Sequence, residues 1–101
     1  MFDLEYAKTV ISDEAAAVAG LVDVVNESFV RSAEILLNCK GSVIVTGVGK
    51  AGIIGNKISS TMASTGTPSH FLHPAEAMHG DLGRIGSEDV VVALSHSGTI
   101  E

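Results

Sequence analysis

The sequence predicts an α/β fold, a three-layer sandwich in which helices cover a parallel sheet. Two observations support this class: unbroken apolar runs at residues 43–45 and 90–94, and a glycine-rich turn directly after each run. Continuous apolar runs are typical of strands that are buried on both faces of a parallel sheet. The segments between the runs have helical spacing or contain turn residues, so strands and helices should alternate along the chain.

Residues 1–40 are predicted to form a helical arm, followed by the α/β domain at residues 41–101. Apolar residues between Val22 and Leu37 recur at intervals of three and four, which places them on one helix face. Gly20 predicts a break between two helices, and Gly41 follows the predicted end of the second. The arm packs either on a partner subunit or on its own domain, and the sequence leaves both open.

The α/β part contains three predicted strands, at residues 42–45, 69–72 and 89–94, and one clear helix at residues 53–64. Residues 73–83 are predicted as a loop with one helical turn near residues 75–78. Because a doubly wound sheet usually has about five strands, we expect a domain truncated after its third strand. The alternative is a native three-stranded unit that is completed by oligomerisation.

The composition excludes several classes of protein. Hydrophobic residues make up 46% of the chain and charged residues 18%, which argues against disorder. A net charge of −6, with scattered basic residues, argues against a nucleic-acid surface. The N-terminus has no signal-peptide pattern and no apolar run is long enough for a membrane span. One cysteine, Cys39, fits a reducing compartment as an inert thiol, so we predict a cytoplasmic protein.

The first turn combines a G-x-G-x-x-G spacing at residues 47–52 with a lysine. Binding of NAD would also need an acidic residue near the end of the second strand, where His73 stands. A Walker loop would need Ser or Thr where Ala51 stands. A cation at a helix start is unfavourable unless an anion or a function compensates. We therefore predict a functional Lys50, with a solvated surface lysine as the alternative.

The loop after the third strand is rich in hydroxyl groups. It reads Ser95-His96-Ser97-Gly98-Thr99, which offers donors to phosphate oxygens on a flexible turn, or else caps a helix. If the first strand is central, this loop and the Lys50 turn face each other at the switch point of the sheet. The two turns together predict a site for a phosphorylated small molecule.

The middle loop, residues 73–81, contains two histidines and two carboxylates that could supply a general acid or base. A metal held by His73, His79 and Asp81 is conceivable, but the spacing matches no standard zinc pattern. Hydrogen bonding at a helix end is the alternative for His73 and Glu76. His70 lies within a predicted strand and is expected to pack.

The three loops together resemble the sugar isomerase (SIS) family and, within it, the D-arabinose 5-phosphate isomerases. The resemblance covers residues 42–98 and is carried by residues 46–57, 63–68 and 71–83. The pattern H-P-x-E-A-x-H-G-D-L-G at residues 73–83 is its most specific part. It implies a flavodoxin-like SIS fold and an isomerisation of ribulose 5-phosphate and arabinose 5-phosphate through an enediol.

The resemblance also implies roles for individual residues. Lys50 and His79 would be catalytic, with Lys50 stabilising the enediolate and His79 serving ring opening or proton transfer. The substrate-binding residues would be Gly47, Gly49, Ser95, Ser97, Gly98 and Thr99. We expect no metal and no cofactor, a phosphosugar as the small-molecule partner, and a homo-oligomer (dimer or tetramer).

Three residues depart from the usual pattern of the subgroup. Ala51 replaces a serine, His96 replaces an asparagine, and Thr99 replaces a glutamate. A family glutamate falls at or just past Glu101, and a family histidine belongs to a later segment, so the 101-residue form is not expected to hold the whole site. Two other functions stay open: a non-catalytic sugar-phosphate-binding domain of a regulator, and a structural oligomerisation module.

Overall fold

The structure, a computed structural model, describes residues 3–78 and 80–98 and, for Asp81 and Leu82, the backbone alone. The chain divides into two compact units, Met1–Glu34 and Ile35–Glu101. The helices and strands, in chain order, are α1 (Leu4–Gly20), α2 (Glu27–Leu37), β1 (Val43–Gly47), α3 (Lys50–Ser64), β2 (Ser69–Phe71), α4 (Pro74–Met78) and β3 (Val90–Leu94). Short 3₁₀ turns lie at Leu21–Asp23 and Asp81–Arg84.

The helices of the N-terminal segment begin at side-chain caps. Asp3 Oδ1 accepts a hydrogen bond of 2.9 Å from the Glu5 amide at the start of α1. Helix α1 ends at Gly20, where the sequence predicts a break. Asn26 Oδ1 accepts from the Ser28 amide at 2.9 Å and caps α2. In the described part of the chain, no helix combines the length and the hydropathy needed to cross a bilayer.

The second unit is built on a parallel sheet with the order β2-β1-β3. Val43 pairs with Ser69 on one side and with Val90 on the other. Strand β1 is therefore central, and Val43, Ile44 and Val45 are fully buried. The predicted fold class, α/β with a parallel sheet, is confirmed, and the condition that the first strand is central holds.

Helix α3 packs on one face of the sheet, and the buried Ser59 accepts a hydrogen bond of 3.0 Å from the Ser69 hydroxyl of β2. On the opposite face burial alternates along β3, and Val91 is 48% exposed. The unbroken apolar run of β3 predicts burial on both faces. Among the described residues, however, nothing covers β3 fully on the face opposite α3.

Two boundaries around the first turn differ from the predicted ones. Strand β1 continues to Gly47 rather than ending at Val45, because Gly47 still pairs with Leu94 of β3. Helix α3 begins at Lys50 rather than at Ile53. The turn between strand and helix is therefore only two residues long, and Lys50 belongs to the helix.

Candidate active site

The turn between β1 and α3 depends on Gly49. This residue precedes the first helical residue and has φ +65° and ψ −133°, a backbone conformation that residues with a Cβ rarely adopt. Its carbonyl accepts the first helical hydrogen bond, from the Ile53 amide at 3.2 Å. Glycine thus allows the strand to turn into the helix without a longer loop.

Helix α3 starts very close to the end of β1. A Cβ on Gly52 would lie 2.6 Å from the Gly47 carbonyl oxygen, which is closer than real Cβ atoms come. This close approach places the unpaired amide groups of the first helical turn at the carboxyl edge of the sheet. Such amides, together with the helix dipole, favour an anion at this edge.

The loop after β3 is closed by its own serine. Ser95 Oγ accepts a hydrogen bond of 2.9 Å from the Gly98 amide, and Gly98 has φ +77°. Because the serine oxygen acts as the acceptor, its O–H can still donate to a ligand. Ser97 lies in the same turn and is exposed.

A cavity of about 1280 Å³ opens between these two turns and runs along the open face of the sheet. Thr46, Gly47 and Lys50 line it from the first turn, and Ser95 and His96 line it from the loop after β3. The structure therefore brings together Lys50, Gly47 and Ser95 from the residues predicted by sequence. We call this space the lysine cavity.

Lys50 is exposed, and among the described residues no carboxylate pairs with it. It stands at the first position of α3, where the helix dipole disfavours a cation. A bound anion would relieve this misfit by interacting with the ammonium group and with the helix start together. The electrostatics therefore favour a negatively charged ligand in the lysine cavity.

The segment after β2 is held to the end of β1 by two hydrogen bonds. The Leu72 amide donates to the Val45 carbonyl at 2.8 Å, and the Thr46 hydroxyl donates to the Leu72 carbonyl. The next residue, His73, accepts a hydrogen bond of 3.1 Å at Nδ1 from the Ala75 amide. This is the helix-end role that the sequence leaves open as an alternative for His73.

A second, smaller cavity of about 300 Å³ lies on the β2 side of the same turn. Gly47 lines both cavities, whereas Gly49, Asn56, Phe71 and His73 line only the smaller one. We call it the histidine cavity. Ser97 and Gly98, predicted as substrate-binding, line neither space among the described residues.

Sequence reasoning included Thr46, Asn56 and His96 in its motifs but gave none of them a role in the site. Asn56 is an exposed polar residue within a helix, and that context carries no signal of a cavity. Thr46 precedes the glycine motif, and in the structure it belongs to β1. Their places became evident only from the packing of α3 and of residues 72–73 against β1.

Two predicted site residues, His79 and Thr99, lie outside the described residues. The suggested metal ligands include His79 and the side chain of Asp81, so this suggestion is not tested. Within residues 3–78 and 80–98, no group of three or more His, Cys, Asp or Glu side chains is arranged to hold a metal ion.

Relatives with curated names agree with the resemblance. The chain is 60% identical over 72 residues to arabinose 5-phosphate isomerase GutQ of Escherichia coli K12, covering 71% of this chain and 22% of that protein. It is 53% identical over 93 residues to arabinose 5-phosphate isomerase KdsD of Pseudomonas aeruginosa, covering 92% of this chain and 28% of that protein. The chain thus spans less than a third of the length of these relatives.

A solved structure gives the same result for the fold. An Escherichia coli CFT073 protein in complex with a sugar phosphate superposes with a TM-score of 0.83 at 40% identity. The match covers 94% of this chain and 52% of the other.

The family model of the SIS domain matches residues 35–100, which is more than half of the chain. The predicted resemblance is confirmed, and the chain belongs to the SIS domain family.

Proposed function

We propose that this chain is the SIS part of a phosphosugar isomerase that interconverts ribulose 5-phosphate and arabinose 5-phosphate. The names of GutQ and KdsD, and the sugar phosphate bound to the Escherichia coli CFT073 relative, support this substrate. The observation that carries the proposal is the lysine cavity, where Lys50 and Ser95 meet at the carboxyl ends of neighbouring strands.

The reaction moves a hydrogen between two carbons and needs no redox partner. A base removes the proton from the carbon next to the carbonyl, and the electron pair of that C–H bond forms the enediolate. A proton then returns to the former carbonyl carbon, and the neighbouring hydroxyl becomes the new carbonyl. Negative charge builds up on the substrate oxygen, where a fixed cation stabilises the transition state. Lys50 would supply this charge.

The phosphate would be held by the loop after β3 and by the start of α3. Ser95 keeps an O–H donor for phosphate oxygens while its oxygen accepts from the Gly98 amide. The family resemblance assigns Ser97, Gly98 and Thr99 to the same phosphate site. Gly47 and Gly49 let the ligand approach the backbone amides at the helix start.

His79 would serve ring opening or proton transfer, the role that the family resemblance implies for it. It follows directly on α4, whose first turn is capped by His73. The hydrogen bond between Thr46 and Leu72 connects the segment before α4 to the central strand.

The experiment that tests the proposal uses a longer protein that carries the whole SIS domain and follows ribulose 5-phosphate in D₂O by NMR. Arabinose 5-phosphate should form. Deuterium should enter the carbon that is reprotonated, because the base can exchange the abstracted proton with solvent before it returns a proton to the enediol. Neither product nor deuterium in a folded sample that binds the sugar phosphate would contradict catalysis. That result would favour the non-catalytic sugar-phosphate-binding domain of a regulator.

The proposal includes a homo-oligomer, dimer or tetramer, in the cytoplasm, with a small-molecule ligand and without nucleic-acid or membrane partners. The net charge of −6 supports the absence of a nucleic-acid surface. Sedimentation equilibrium measures the oligomeric state directly. A strict monomer at high protein concentration would contradict that part of the proposal.

A further inference from the structure

The histidine cavity has its own polar side chains, which the proposed reaction does not use. His73 and Asn56 line it from opposite elements, the segment after β2 and the helix α3. Lys50 and Ser95 line only the lysine cavity, on the other side of the turn. Gly47 lines both cavities, so they adjoin at the turn between β1 and α3.

The His73 ring is fixed by two contacts. Its Nδ1 accepts the Ala75 amide at 3.1 Å, and its ring meets Phe71 edge-on with centroids 6.5 Å apart at 71°. A ring nitrogen that accepts a hydrogen bond carries no proton, so the proton of the neutral imidazole lies on Nε2. The cap of α4 therefore makes His73 Nε2 a hydrogen-bond donor.

The chemistry of the histidine cavity suits neutral hydroxyl groups better than phosphate. None of the described residues that line it is lysine or arginine. Asn56 offers one acceptor and one donor group, and in the described part of the chain its exposed side chain has no hydrogen-bond partner. Hydroxyls both donate and accept, which matches this amide together with an N–H donor. The phosphate is better matched to Lys50 in the lysine cavity.

We propose that the histidine cavity is the subsite for the sugar hydroxyls, and that His73 Nε2 and Asn56 bind and select them. This inference rests on the proposed function, because it assigns the two ends of a sugar phosphate to the two cavities. The phosphate and the reacting carbons lie in the lysine cavity. The remaining hydroxyls lie across Gly47, within reach of His73 and Asn56.

Two substitutions separate this role from the capping of α4. In His73→Asn, the amide occupies the place of Nδ1 and can still accept from Ala75, but nothing replaces Nε2. In His73→Gln, the amide nitrogen occupies the place of Nε2 and can donate to a hydroxyl, but nothing replaces Nδ1. Calorimetric titrations with arabinose 5-phosphate and with inorganic phosphate, which has no sugar hydroxyls, measure the affinity of each variant.

We expect His73→Asn and Asn56→Ala to weaken arabinose 5-phosphate binding about fivefold to tenfold, the loss of one hydrogen bond each. His73→Gln should bind it nearly as well as the wild type. Inorganic phosphate should bind equally to all variants. Ser60→Ala, an exposed α3 substitution outside both cavities, serves as the control and should change neither affinity.

Each other outcome overturns the subsite. If His73→Asn binds the sugar phosphate normally and His73→Gln does not, His73 only caps α4. If the His73 variants lose as much affinity for inorganic phosphate as for the sugar phosphate, the phosphate and not the hydroxyls would lie beside His73. If the wild type binds phosphate and the sugar phosphate with equal affinity, the proposed phosphate site stands and the hydroxyl subsite fails. A folded wild type that binds neither ligand overturns the proposed function as well.

Discussion

The polar groups at the two ends of the sheet differ in how they are hydrogen-bonded. At the amino end, Asp89 accepts hydrogen bonds of 2.7 Å from the Ser42 amide and of 2.7 Å from the Gly86 amide. The Gly41 amide donates to the Glu88 carbonyl at 3.1 Å, and the half-buried Cys39 thiol contacts the same carbonyl. The polar groups of this end are thus joined to one another.

At the carboxyl end, donors remain available. Lys50 has no carboxylate partner within the described residues, Ser95 keeps its O–H, and His73 keeps its Nε2–H. Ser95 and His73 are each held by a hydrogen bond from a backbone amide, and Lys50 stands at the first position of α3. The comparison teaches that the polar groups of the amino end are used within the fold, whereas those of the carboxyl end leave donors free for the proposed ligand.

The largest expected effect belongs to Lys50→Ala. Removing the cation that would stabilise the enediolate should lower turnover of ribulose 5-phosphate about a hundredfold or more, with an unchanged unfolding midpoint. Lys57→Ala, on the same helix and bonded only to Thr61 among the described residues, is the matched control and should keep full turnover. Equal turnover rates for the two variants would show that Lys50 is not a catalytic residue.

Gly52→Ala tests whether the carboxyl end is rigid. The added Cβ would lie 2.6 Å from the Gly47 carbonyl oxygen, so α3 must move away from β1. We expect a loss of about 2 kcal/mol in the free energy of unfolding, measured by urea denaturation. Gly20→Ala, where a Cβ meets nothing within 4 Å, should be neutral or stabilising. Unchanged stability of Gly52→Ala would mean that the turn adapts freely.

Asp89 gives the amino end a pH dependence. Hydrogen bonds from the Ser42 amide and then the Gly86 amide, with a smaller contribution from His70, hold the pKa of Asp89 below its usual range. The carboxylate therefore stabilises the fold above a pH of about 4, the pKa of an unfolded aspartate, and this contribution is lost as the pH falls through the lowered pKa.

The urea midpoint of the wild type should consequently fall more between pH 6 and pH 3 than that of Asp89→Asn, which has no carboxylate to protonate. Glu88→Gln, a change at the neighbouring exposed carboxylate, should keep the pH dependence of the wild type. Parallel curves for the wild type and Asp89→Asn would show that these bonds do not stabilise the charged form.

The smallest effect is expected for Ser95→Ala. Loss of one hydroxyl donor should weaken binding of inorganic phosphate about fivefold, and Ser95→Thr, which keeps a hydroxyl, should restore most of it. Calorimetric titration measures both affinities. If alanine binds phosphate as tightly as serine, the hydroxyl only closes the turn with the Gly98 amide.

The sequence predicted the parallel sheet and, on the condition that β1 is central, the position of Lys50 and Ser95 at one site. These follow from apolar runs and from the rule that the carboxyl ends of parallel strands share an edge. It placed the start of α3 too late, at Ile53, because glycines at helix starts are read as turn residues. Only the packed structure shows that Gly52 is helical and lies against Gly47.

The histidine cavity was outside the reach of sequence reasoning. Asn56 is exposed on a helix, and His73 comes close to it only because Leu72 is hydrogen-bonded to β1. Such proximity depends on the register between β1 and β2 and on the packing of α3, neither of which leaves a local pattern. Lys50 and Ser95 of the lysine cavity, by contrast, lie in the short motifs that directly follow β1 and β3.

A titration with arabinose 5-phosphate, followed through backbone amide shifts, compares the two ends of the sheet in one experiment. We predict shifts at residues 47–52 and 95–98, and none at residues 41–42 and 86–89. Shifts at the amino end, or no shifts at the carboxyl end of a folded sample, would contradict the claim that the carboxyl end is the ligand site.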